Sequence, residues 1–478
     1  DLWYKIENYD SIPPFFMTIT SSSDIWNFIW SSGALSAGRK DASFAIFPYY
    51  TSDKIDDFKN QAGPFTAIKI KAADSTYYWE PFATTPSFKV KRNIYKNSAG
   101  SHIIFEEINT ELNLTFKQEW TSSAKYGLVR IARIINNGPD SQQIQILDGC
   151  RNIMPACATV QLQNDSSVLL DAYKKTDLDL DSRLAMFSLS SVLTDRAEPS
   201  EALWANTCWF SIDAPVYLDP AVEKQFMLNA DINQTIAETK VLKGGRASCD
   251  IIKTLNLASN QEEMWYQVFD TKLEISLIKE LKKKLADRKA LAEDLAKDIE
   301  EGKKLLDQYV GDADGIQNTA DSITCMHHKA NVMFNIMRGG VFVENNTIHS
   351  ADFIKFVTTR NTNEVEAAKK VCSKDTFSYK ELGAAVKATG DDQLYRLYLE
   401  YLPLSFSRRH GDPSRPWNKF SINLRDSLGN PILNYEGNWR DIFQNWEALA
   451  MSYPSYTTGM ISKFVNATSC DGFNPYRI

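Results

Sequence analysis

The sequence has 478 residues, of which 43% are hydrophobic, 12% aromatic and 24% charged. These fractions are typical of a globular protein with a full core, and they exclude a disordered chain, a collagen and a disulfide scaffold. With 53 Lys and Arg against 60 Asp and Glu, the net charge is −7. This charge argues against a dedicated nucleic-acid-binding protein, which needs a basic face. No apolar run approaches the roughly 20 residues of a membrane-spanning helix.

Residues 1–260 show the alternation of apolar and polar residues that is typical of half-buried strands. The clearest examples are segments 15–20, 65–71 and 142–147, and residues 87–120 resemble two long hairpin strands followed by a third. Turn residues recur between the segments, without intervening helical periodicity. This pattern predicts a large antiparallel β-sandwich over residues 1–260.

Residues 261–315 are predicted to form a helical linker. Segment 261–301 contains no Gly or Pro and is dominated by good helix formers. Arg288 and Gly302 interrupt an amphipathic stripe that favours one long helix or a helical hairpin, with a dimerising coiled coil as the alternative. The residues of the stripe are Ile278, Leu281, Leu285, Ala292, Leu295, Ile299 and Leu306.

Residues 316–478 are predicted to be mainly helical. Segment 403–438 interrupts the helices, is rich in Arg, Gly, Pro, Trp and Asn, and is long enough to indicate a functional loop. The predicted helices cover residues 320–337, 350–359, 378–388, 391–402, 439–451 and 455–466.

Asp412, Arg415 and Trp417 of this loop form the first candidate binding cluster. Arg is a planar donor of several hydrogen bonds, Asp accepts them from hydroxyls, and Trp offers an apolar face. This combination suits a sugar ring, which has hydroxyls at its edge and C–H groups on its faces. The structural alternative is a surface loop held by local salt bridges.

Trp439, Arg440 and Asp441 form the second candidate cluster, at the start of a predicted helix. Asn438 or Asp441 is expected to open this helix, and the helix dipole favours an ionised Asp441 in the first turn. Polar residues at such a position can point into the mouth of a helical barrel. The alternative is a capped amphipathic helix in which Arg440 and Asp441 are structural.

Cofactor-dependent chemistry has little support in the sequence. The seven Cys include no Cys-x-x-Cys, the five His lack zinc-protease spacing, and no P-loop or Gly-x-Ser-x-Gly occurs. We therefore expect no metal and no cofactor. The Cys pattern suits a reducing compartment, and no leader is visible. We expect a cytoplasmic protein, or a periplasmic one if a leader was removed, since the first residue is Asp.

The order of β-sandwich, helical linker and paired helices resembles the cellobiose-phosphorylase-like glycoside phosphorylases. Residues 437–444 are similar to the family's Gly-aromatic-Arg-Asp stretch, and segments 32–39 and 47–50 are similar to its opening strands. The resemblance implies that an (α/α)6 barrel follows the linker, and that Arg440 and Asp441 bind sugar hydroxyls. The loop with Asp412, Arg415 and Trp417 has no close counterpart in the family.

The resemblance also implies an enzyme that cleaves glycosidic bonds of an oligosaccharide or β-glycoside with inversion. Inorganic phosphate would be the co-substrate of a phosphorylase, and water that of a hydrolase. The family's general acid follows the Arg-Asp stretch, yet residues 442–478 contain no such motif. We therefore expect that 316–478 form only the first half of the barrel, that a second chain or a C-terminal remainder completes it, and that the acid lies there.

A non-catalytic carbohydrate-binding or scaffold protein is the alternative function. In that hypothesis the sandwich binds the sugar. A homodimer through the linker remains a further expectation. No nucleic-acid or membrane partner is expected from the composition.

Overall fold

The computed structural model describes residues 2–72, 75–193, 201–407, 420–426 and 432–478. These residues form two compact units. The first unit extends to Lys304 and the second begins at Leu305. Asp412, Arg415 and Trp417 lie outside the described residues.

The first unit consists mainly of β-strands. In chain order they are β1 Trp3–Glu7, β2 Phe16–Ile19, β3 Ile25–Trp30, β4 Leu35–Arg39, β5 Ala45–Phe47, β6 Gly63–Ala72, β7 Ser75–Trp79, β8 Val90–Asn97, β9 Ile103–Asn109, β10 Leu114–Ser123, β11 Gly127–Asn136, β12 Gln142–Arg151, β13 Lys174–Asp179, β14 Leu184–Leu189, β15 Trp204–Phe210, β16 Val216–Tyr217, β17 Val241–Lys243, β18 Ser248–Leu257 and β19 Glu262–Glu274. Its helices are α1 Ser52–Asp57, α2 Val160–Asp165, α3 Ser167–Tyr173, α4 Ala221–Met227, α5 Gln234–Ala237 and α6 Ile275–Lys284, and helix α7 Arg288–Asp312 begins here. The strands predicted at 15–20, 65–71 and 142–147 correspond to β2, β6 and β12.

The strands form three antiparallel sheets. The ten-stranded sheet has the order β1-β8-β9-β10-β11-β19-β15-β14-β13-β17, the five-stranded sheet β16-β18-β12-β6-β7, and the four-stranded sheet β2-β3-β4-β5. Strands β8, β9 and β10 are neighbours in both sequence and sheet, as predicted for residues 87–120. Their register places Ile94 opposite Phe105, and Phe105 opposite Gln118.

Side chains from all three sheets meet in one core. Ile29 of the four-stranded sheet, Ile146 of the five-stranded sheet and Phe116 of the ten-stranded sheet are all buried in the same cluster. Because each sheet buries an apolar face against the others, the large antiparallel β-sandwich is confirmed. The predicted boundary at residue 260 is wrong, since β19 continues to Glu274.

The apolar stripe packs on the face of the ten-stranded sheet opposite the sandwich core. Leu281, Leu285, Leu295 and Ile299 share a buried cluster there with Val129. The stripe is thus covered within the chain, which contradicts its alternative interpretation as a dimerising coiled-coil seam. The segment forms two helices, α6 and α7, rather than one.

The two interruptions of the stripe have structural reasons. The guanidinium of Arg288 donates hydrogen bonds to the carbonyl oxygens of Phe210 and Ser182, so a polar residue serves the helix–sheet contact. At Gly302 an added Cβ would lie only 3.0 Å from Oγ of Ser22. Glycine therefore permits the close approach of α7 to this serine.

Several buried charges in the first unit are paired. The Arg130 guanidinium, which is fully buried, donates to both carboxylate oxygens of Asp148 at 2.7 and 2.9 Å. Nε1 of Trp265 and Oγ1 of Thr66 also donate to this carboxylate, at 2.8 and 2.6 Å. Burying two ions is expensive unless each finds its charge partner and hydrogen bonds, and this network supplies both.

The second unit is mainly helical. After the end of α7 it contains α8 Ser322–Gly339, β20 Val341–Phe342, β21 Thr347–His349, α9 Ser350–Arg360, α10 Val365–Val371, β22 Thr376–Ser378, α11 Tyr379–Ala388, α12 Asp392–Glu400, β23 Leu404–Ser405, α13 Trp439–Ser452 and α14 Thr457–Ala467. All six predicted helices are present. Sequence periodicity missed the seven-residue helix α10 and the helices α1 to α5, which are also short.

Capping residues explain several helix starts in this unit. Oδ1 of Asp321 accepts the backbone N–H groups of residues 323 and 324 at the start of α8. Asp391 caps α12 in the same way. Ser378 and Glu381 form a reciprocal capping box at α11. Each cap satisfies backbone donors that the first helical turn leaves unpaired.

Strands β20 and β23 pair and bring the two ends of segment 341–405 together. Along the chain, the helices α9 to α12 lie between these two strands. Helix α13 packs on α8, where Nε1 of Trp446 donates to the carbonyl oxygen of Gly339 at 2.8 Å. Among the described residues, no helix is both long enough and apolar enough to cross a membrane.

Candidate functional site

Trp439, Arg440 and Asp441 occupy the first turn of α13. Asn438 is the residue that opens the helix, since its carbonyl oxygen accepts N–H groups of Asp441 and Ile442 at 2.9 Å, although its side chain makes no cap. The chain end adds support, because the Trp439 N–H donates to the carbonyl oxygen of Tyr476. The helix start is therefore fixed by backbone hydrogen bonds on two sides.

The three predicted residues have different environments. The Trp439 side chain is only 6% exposed and packs against Phe443, Trp446 and Phe464, with ring centroids at 5.4, 6.1 and 5.1 Å. Its Nε1 has no hydrogen-bond partner within the described part of the chain. Arg440 is exposed. Trp439 thus belongs to the helical core, which differs from the predicted sugar-facing position.

Asp441 is half-buried in the first turn of α13. Asn445, four residues further along the helix, is buried, and its Nδ2 donates to Oδ1 of Asn335 on α8 at 3.0 Å. The polar strip of Asp441 and Asn445 therefore serves helix packing in part. Sugar binding by Arg440 and Asp441 stays a prediction.

A cavity of about 520 Å³ lies elsewhere in the second unit. This size is typical of a small-molecule site. The cavity is bounded by α9, the residue pair 401–402, the segment 432–435 and α14. Its aromatic and charged lining residues are Tyr309, Glu344, His349, Asp352, Lys355, Phe356, Arg360, Tyr401, Tyr435 and Lys463.

Helix α9 presents a regular series of side chains to this cavity. Asp352, Phe356 and Arg360 are spaced by four residues, so they follow one face of the helix. The Arg360 guanidinium lies 3.8 Å from the ring centroid of Phe356, and the Tyr401 ring meets Phe356 edge to face at 5.1 Å. The face therefore has an acidic end, an aromatic middle and a basic end.

Lys463 on α14 adds a second cation at the basic end. Its Nζ lies 5.4 and 5.9 Å from the ring centroids of Tyr435 and Phe356. The pKa of Lys463 is lowered to about 8, chiefly by burial and also by the positive charge of Arg360, while the negative charge of Glu400 opposes both effects. At neutral pH the ammonium is still mostly protonated, so the cavity holds two neighbouring positive charges.

Neither cation has a carboxylate partner within the described ranges of the chain. No ion pair of Arg360 or Lys463 occurs there, although Lys463 Nζ lies 3.4 Å from the carbonyl oxygen of Glu400. At the acidic end, by contrast, His349 and Glu344 contact each other at 2.9 Å. Burial, aided by the charge of Asp352, raises the pKa of the Tyr401 hydroxyl, which therefore stays a hydrogen-bond donor.

A second cavity, of about 530 Å³, lies in the first unit and includes Phe65, Glu80, Arg151 and Glu223. Here the cation is paired, since Nε of Arg151 donates to both Glu223 oxygens at 2.7 and 2.9 Å. The same guanidinium stacks 3.8 Å from the Phe65 ring centroid. Burial raises the pKa values of Glu80 and Glu223. Among the described residues, no group of three or more His, Cys, Asp or Glu could hold a metal ion.

Sequence reasoning did not find the residues of either cavity. The one available signal was the composition of segment 403–438, which contains Tyr435. The four-residue spacing of Asp352, Phe356 and Arg360 is also visible in the sequence, but such spacing is common on amphipathic helices. Lys463 is 103 positions from Arg360 along the chain, so only the tertiary structure brings them together.

Residues 342–403 match the family model described as Glycoside hydrolase family 149 insertion domain 1. The matched residues include α9 to α12, so this part of the second unit is similar to that insertion domain. Three of the six predicted helices, 350–359, 378–388 and 391–402, lie in it. The match does not test whether these three helices belong to an (α/α)6 barrel.

Several solved structures share a low level of similarity with this chain. A bacterial glucoamylase complexed with acarbose is 10% identical with a TM-score of 0.33, covering 95% of this chain and 60% of that one. A putative kojibiose phosphorylase from human microbiome is 8% identical with a TM-score of 0.32, covering 82% and 44%. A putative aldose 1-epimerase from Escherichia coli K12 is 8% identical with a TM-score of 0.29, covering 54% and 99%. No curated protein matches the sequence.

Proposed function

We propose that this chain is a portion of a glycoside hydrolase or glycoside phosphorylase. The observation that carries the proposal is the match of residues 342–403 to an insertion domain of glycoside hydrolase family 149. The Gly-Asn-Trp-Arg-Asp sequence at 437–441 supports the finer hypothesis of a cellobiose-phosphorylase-like enzyme. The large sandwich followed by helices agrees with the same hypothesis.

In this proposal α8, α13 and α14 belong to an (α/α)6 barrel, and the insertion domain lies between its first two helices. The pairing of β20 with β23 supports this division, because it brings together the points where the chain leaves and rejoins the neighbourhood of α8. The remaining helices and the general acid lie in a second chain or a C-terminal remainder. The substrate is an oligosaccharide or β-glycoside.

Arg440 and Asp441 are the proposed sugar-binding residues, and Trp439 supports them from the core. The Arg440 side chain is exposed to solvent. Asp441 lies in the first turn of α13, whose start is fixed by backbone hydrogen bonds. A carboxylate accepts hydroxyl hydrogen bonds, and a guanidinium donates several. Asp412, Arg415 and Trp417, which lie outside the described residues, stay predicted sugar-binding residues.

The proposed reaction inverts the anomeric carbon. A carboxylic acid protonates the leaving oxygen while phosphate, or water activated by a carboxylate, attacks from the opposite face of the sugar. The C–O bond to the leaving group breaks as the new C–O bond forms. Inorganic phosphate is the co-substrate in the phosphorylase version, and neither version requires a metal or a cofactor.

The test uses the complete protein and a series of β-linked glucose oligosaccharides, with and without inorganic phosphate. Proton and phosphorus NMR identify the first product before it mutarotates. An α-configured sugar 1-phosphate formed only with phosphate supports inverting phosphorolysis, and an α-configured reducing sugar formed without it supports inverting hydrolysis. A β-configured first product contradicts inversion. If no glycoside yields a product, the proposed enzymatic function is contradicted.

A non-catalytic carbohydrate-binding protein is the second candidate, and the cavity with Phe65 and Arg151 favours it. An aromatic ring beside fixed hydrogen-bonding groups is a common arrangement for a sugar. Calorimetric titration of this chain with neutral oligosaccharides tests the idea. Binding that disappears in Arg151→Met but persists in Arg183→Met supports it, whereas binding unaffected by Arg151→Met contradicts it.

A further inference from the structure

We propose that the cavity between α9, α14 and segment 432–435 binds a phosphate monoester, with the phosphate at Arg360 and Lys463 and a sugar ring over Phe356. No contact or comparison assigns a ligand to this cavity. The sugar part of the inference rests on the proposed function, whereas the phosphate part rests on the charges of the cavity alone.

The charges at the basic end call for an anion. The Arg360 guanidinium lies 3.8 Å and Lys463 Nζ 5.9 Å from the same Phe356 ring centroid, and no carboxylate in the described residues pairs with either. Two like charges that are partly removed from water repel each other, and an ion between them removes this cost. A guanidinium and an ammonium are the two side chains that most often bind phosphate.

The middle and the acidic end of the cavity suit the rest of a sugar phosphate. Phe356 and Tyr401 provide apolar surface one helical turn from Arg360. Asp352 lies eight residues before Arg360 on the same face, which is about 12 Å along the helix. This distance leaves room for one sugar ring between a phosphate at Arg360 and a carboxylate that accepts hydroxyl hydrogen bonds.

Other anions fit the cavity less well. A nucleic acid needs an extended basic surface, while this cavity also contains Glu344 and Asp352. A plain carboxylate would satisfy the cations but would leave the aromatic middle and Asp352 without a role. A phosphate joined to a hydroxylated ring uses all three parts.

The test is calorimetric titration of the full chain with glucose 1-phosphate, inorganic phosphate and glucose. Arg360→Gln and Lys463→Met each remove one charge, and Lys369→Met is the matched control because Lys369 is exposed and paired with Glu366 outside the cavity. A charged hydrogen bond to phosphate predicts that each cavity variant weakens glucose 1-phosphate about tenfold or more. The control should bind like the wild type.

Phe356→Ala separates the two sources of phosphate. If the site binds a sugar phosphate, this variant weakens the binding of glucose 1-phosphate and leaves the binding of inorganic phosphate unchanged. Equal affinity of the wild type for both phosphates, with no effect of Phe356→Ala, would overturn the sugar part. Unchanged phosphate binding in both Arg360→Gln and Lys463→Met, or no binding of either phosphate by the wild type, would overturn the whole inference.

Thermal unfolding of each variant separates a folding defect from lost binding. The two proposals also fail independently. Turnover of a glycoside without phosphate binding at Arg360 and Lys463 contradicts only the cavity inference. Charge-dependent binding of glucose 1-phosphate by a protein that turns over no glycoside contradicts only the proposed enzymatic function.

Discussion

The two units differ in how their charged side chains are paired. In the sandwich, the guanidinium of Arg130 is paired with Asp148, and that of Arg92 is paired with Glu107. The guanidinium of Arg39 forms ion pairs with both Asp24 and Asp270. In the helical unit, Arg360 and Lys463 share a cavity without a carboxylate partner in the described residues. Paired charges stabilise the fold, whereas charges without an ion pair that line a cavity are available to bind a ligand.

This difference follows from the surroundings of each charge. Arg130 and Asp148 are both fully buried, so each requires its partner to be there permanently. Arg360 is exposed and Lys463 is half-buried beside a cavity, so water can partly solvate them until an anion arrives. Substitutions in the two groups should therefore act on different properties, stability in one and binding in the other.

The largest expected effect tests the paired side of this comparison. Arg130→Met should lower the free energy of unfolding by about 3–5 kcal/mol, because Asp148 would remain buried without its countercharge. The control is Arg183→Met, whose exposed pair with Asp213 should contribute less than about 1 kcal/mol. Urea unfolding followed by circular dichroism measures both, and equal losses would break the comparison.

Leu295→Ala tests the contact of α7 with the ten-stranded sheet. Leu295 is fully buried among Leu285, Leu291 and the sheet, so the substitution should cost about 3 kcal/mol. Leu277→Ala, on an exposed position of α6, is the control and should change stability little. If size-exclusion chromatography with light scattering shows that Leu295→Ala instead dissociates a dimer, the stripe has a second role.

Asp441→Ala extends the comparison from structure to catalysis. If Asp441 binds the reacting sugar, the complete enzyme should lose at least about 100-fold in kcat/KM, which corresponds to about 2.7 kcal/mol of transition-state stabilisation. The assay is initial-rate turnover of the best oligosaccharide, with Glu447→Ala, an exposed residue of the same helix, as control. Near-normal turnover by a folded Asp441→Ala enzyme would show that the carboxylate is only structural.

Lys463→Met tests the cost of the unpaired lysine. The pKa of Lys463 is lower in the folded protein than its ordinary value of 10.5, so the unfolded chain binds the proton more tightly. The cost is therefore fully present below about pH 8 and disappears as the pH rises to 10.5. Its charged neighbours are Arg360 on α9 and Glu400 on α12, and the ring centroid of Tyr435 lies 5.4 Å from its Nζ.

We expect Lys463→Met to raise the free energy of unfolding at pH 7 by about 1 kcal/mol, and the gain should shrink above pH 8. Paired urea titrations of the wild type and the variant at pH 7 and pH 10 measure this difference. Lys369→Met, an exposed position, should show no such trend. A destabilised variant at pH 7 would show that the lysine already has a favourable partner.

The smallest effect is expected for Arg360→Gln. Because this exposed guanidinium has no ion pair in the described residues, its loss should change the free energy of unfolding by less than about 0.5 kcal/mol. Thermal unfolding in the absence and presence of glucose 1-phosphate is the measurement. A large loss of stability in the absence of ligand would show that Arg360 stabilises the fold, as the paired charges of the sandwich do.

The sequence alone determined much of the architecture. Alternation with a period of two identified β2, β6 and β12, and the amphipathic stripe of residues 278–306 identified the helical segment that forms α6 and α7. These signals are local, since one element's own residues carry the pattern. The strand β19 was mistaken for helix because a segment without Gly or Pro, such as 261–274, suits both structures until the partner strand is known.

The sites depended on the tertiary structure. The Trp-Arg-Asp motif at 439–441 is local and was found, but its surroundings are not, and packing against Phe464 and Trp446 placed Trp439 in the core. The cavity with Arg360 and Lys463 joins elements far apart in the chain. A sequence records which residues carry charge, but the distance between charges, their burial and the absence of a carboxylate between them arise only when the chain folds.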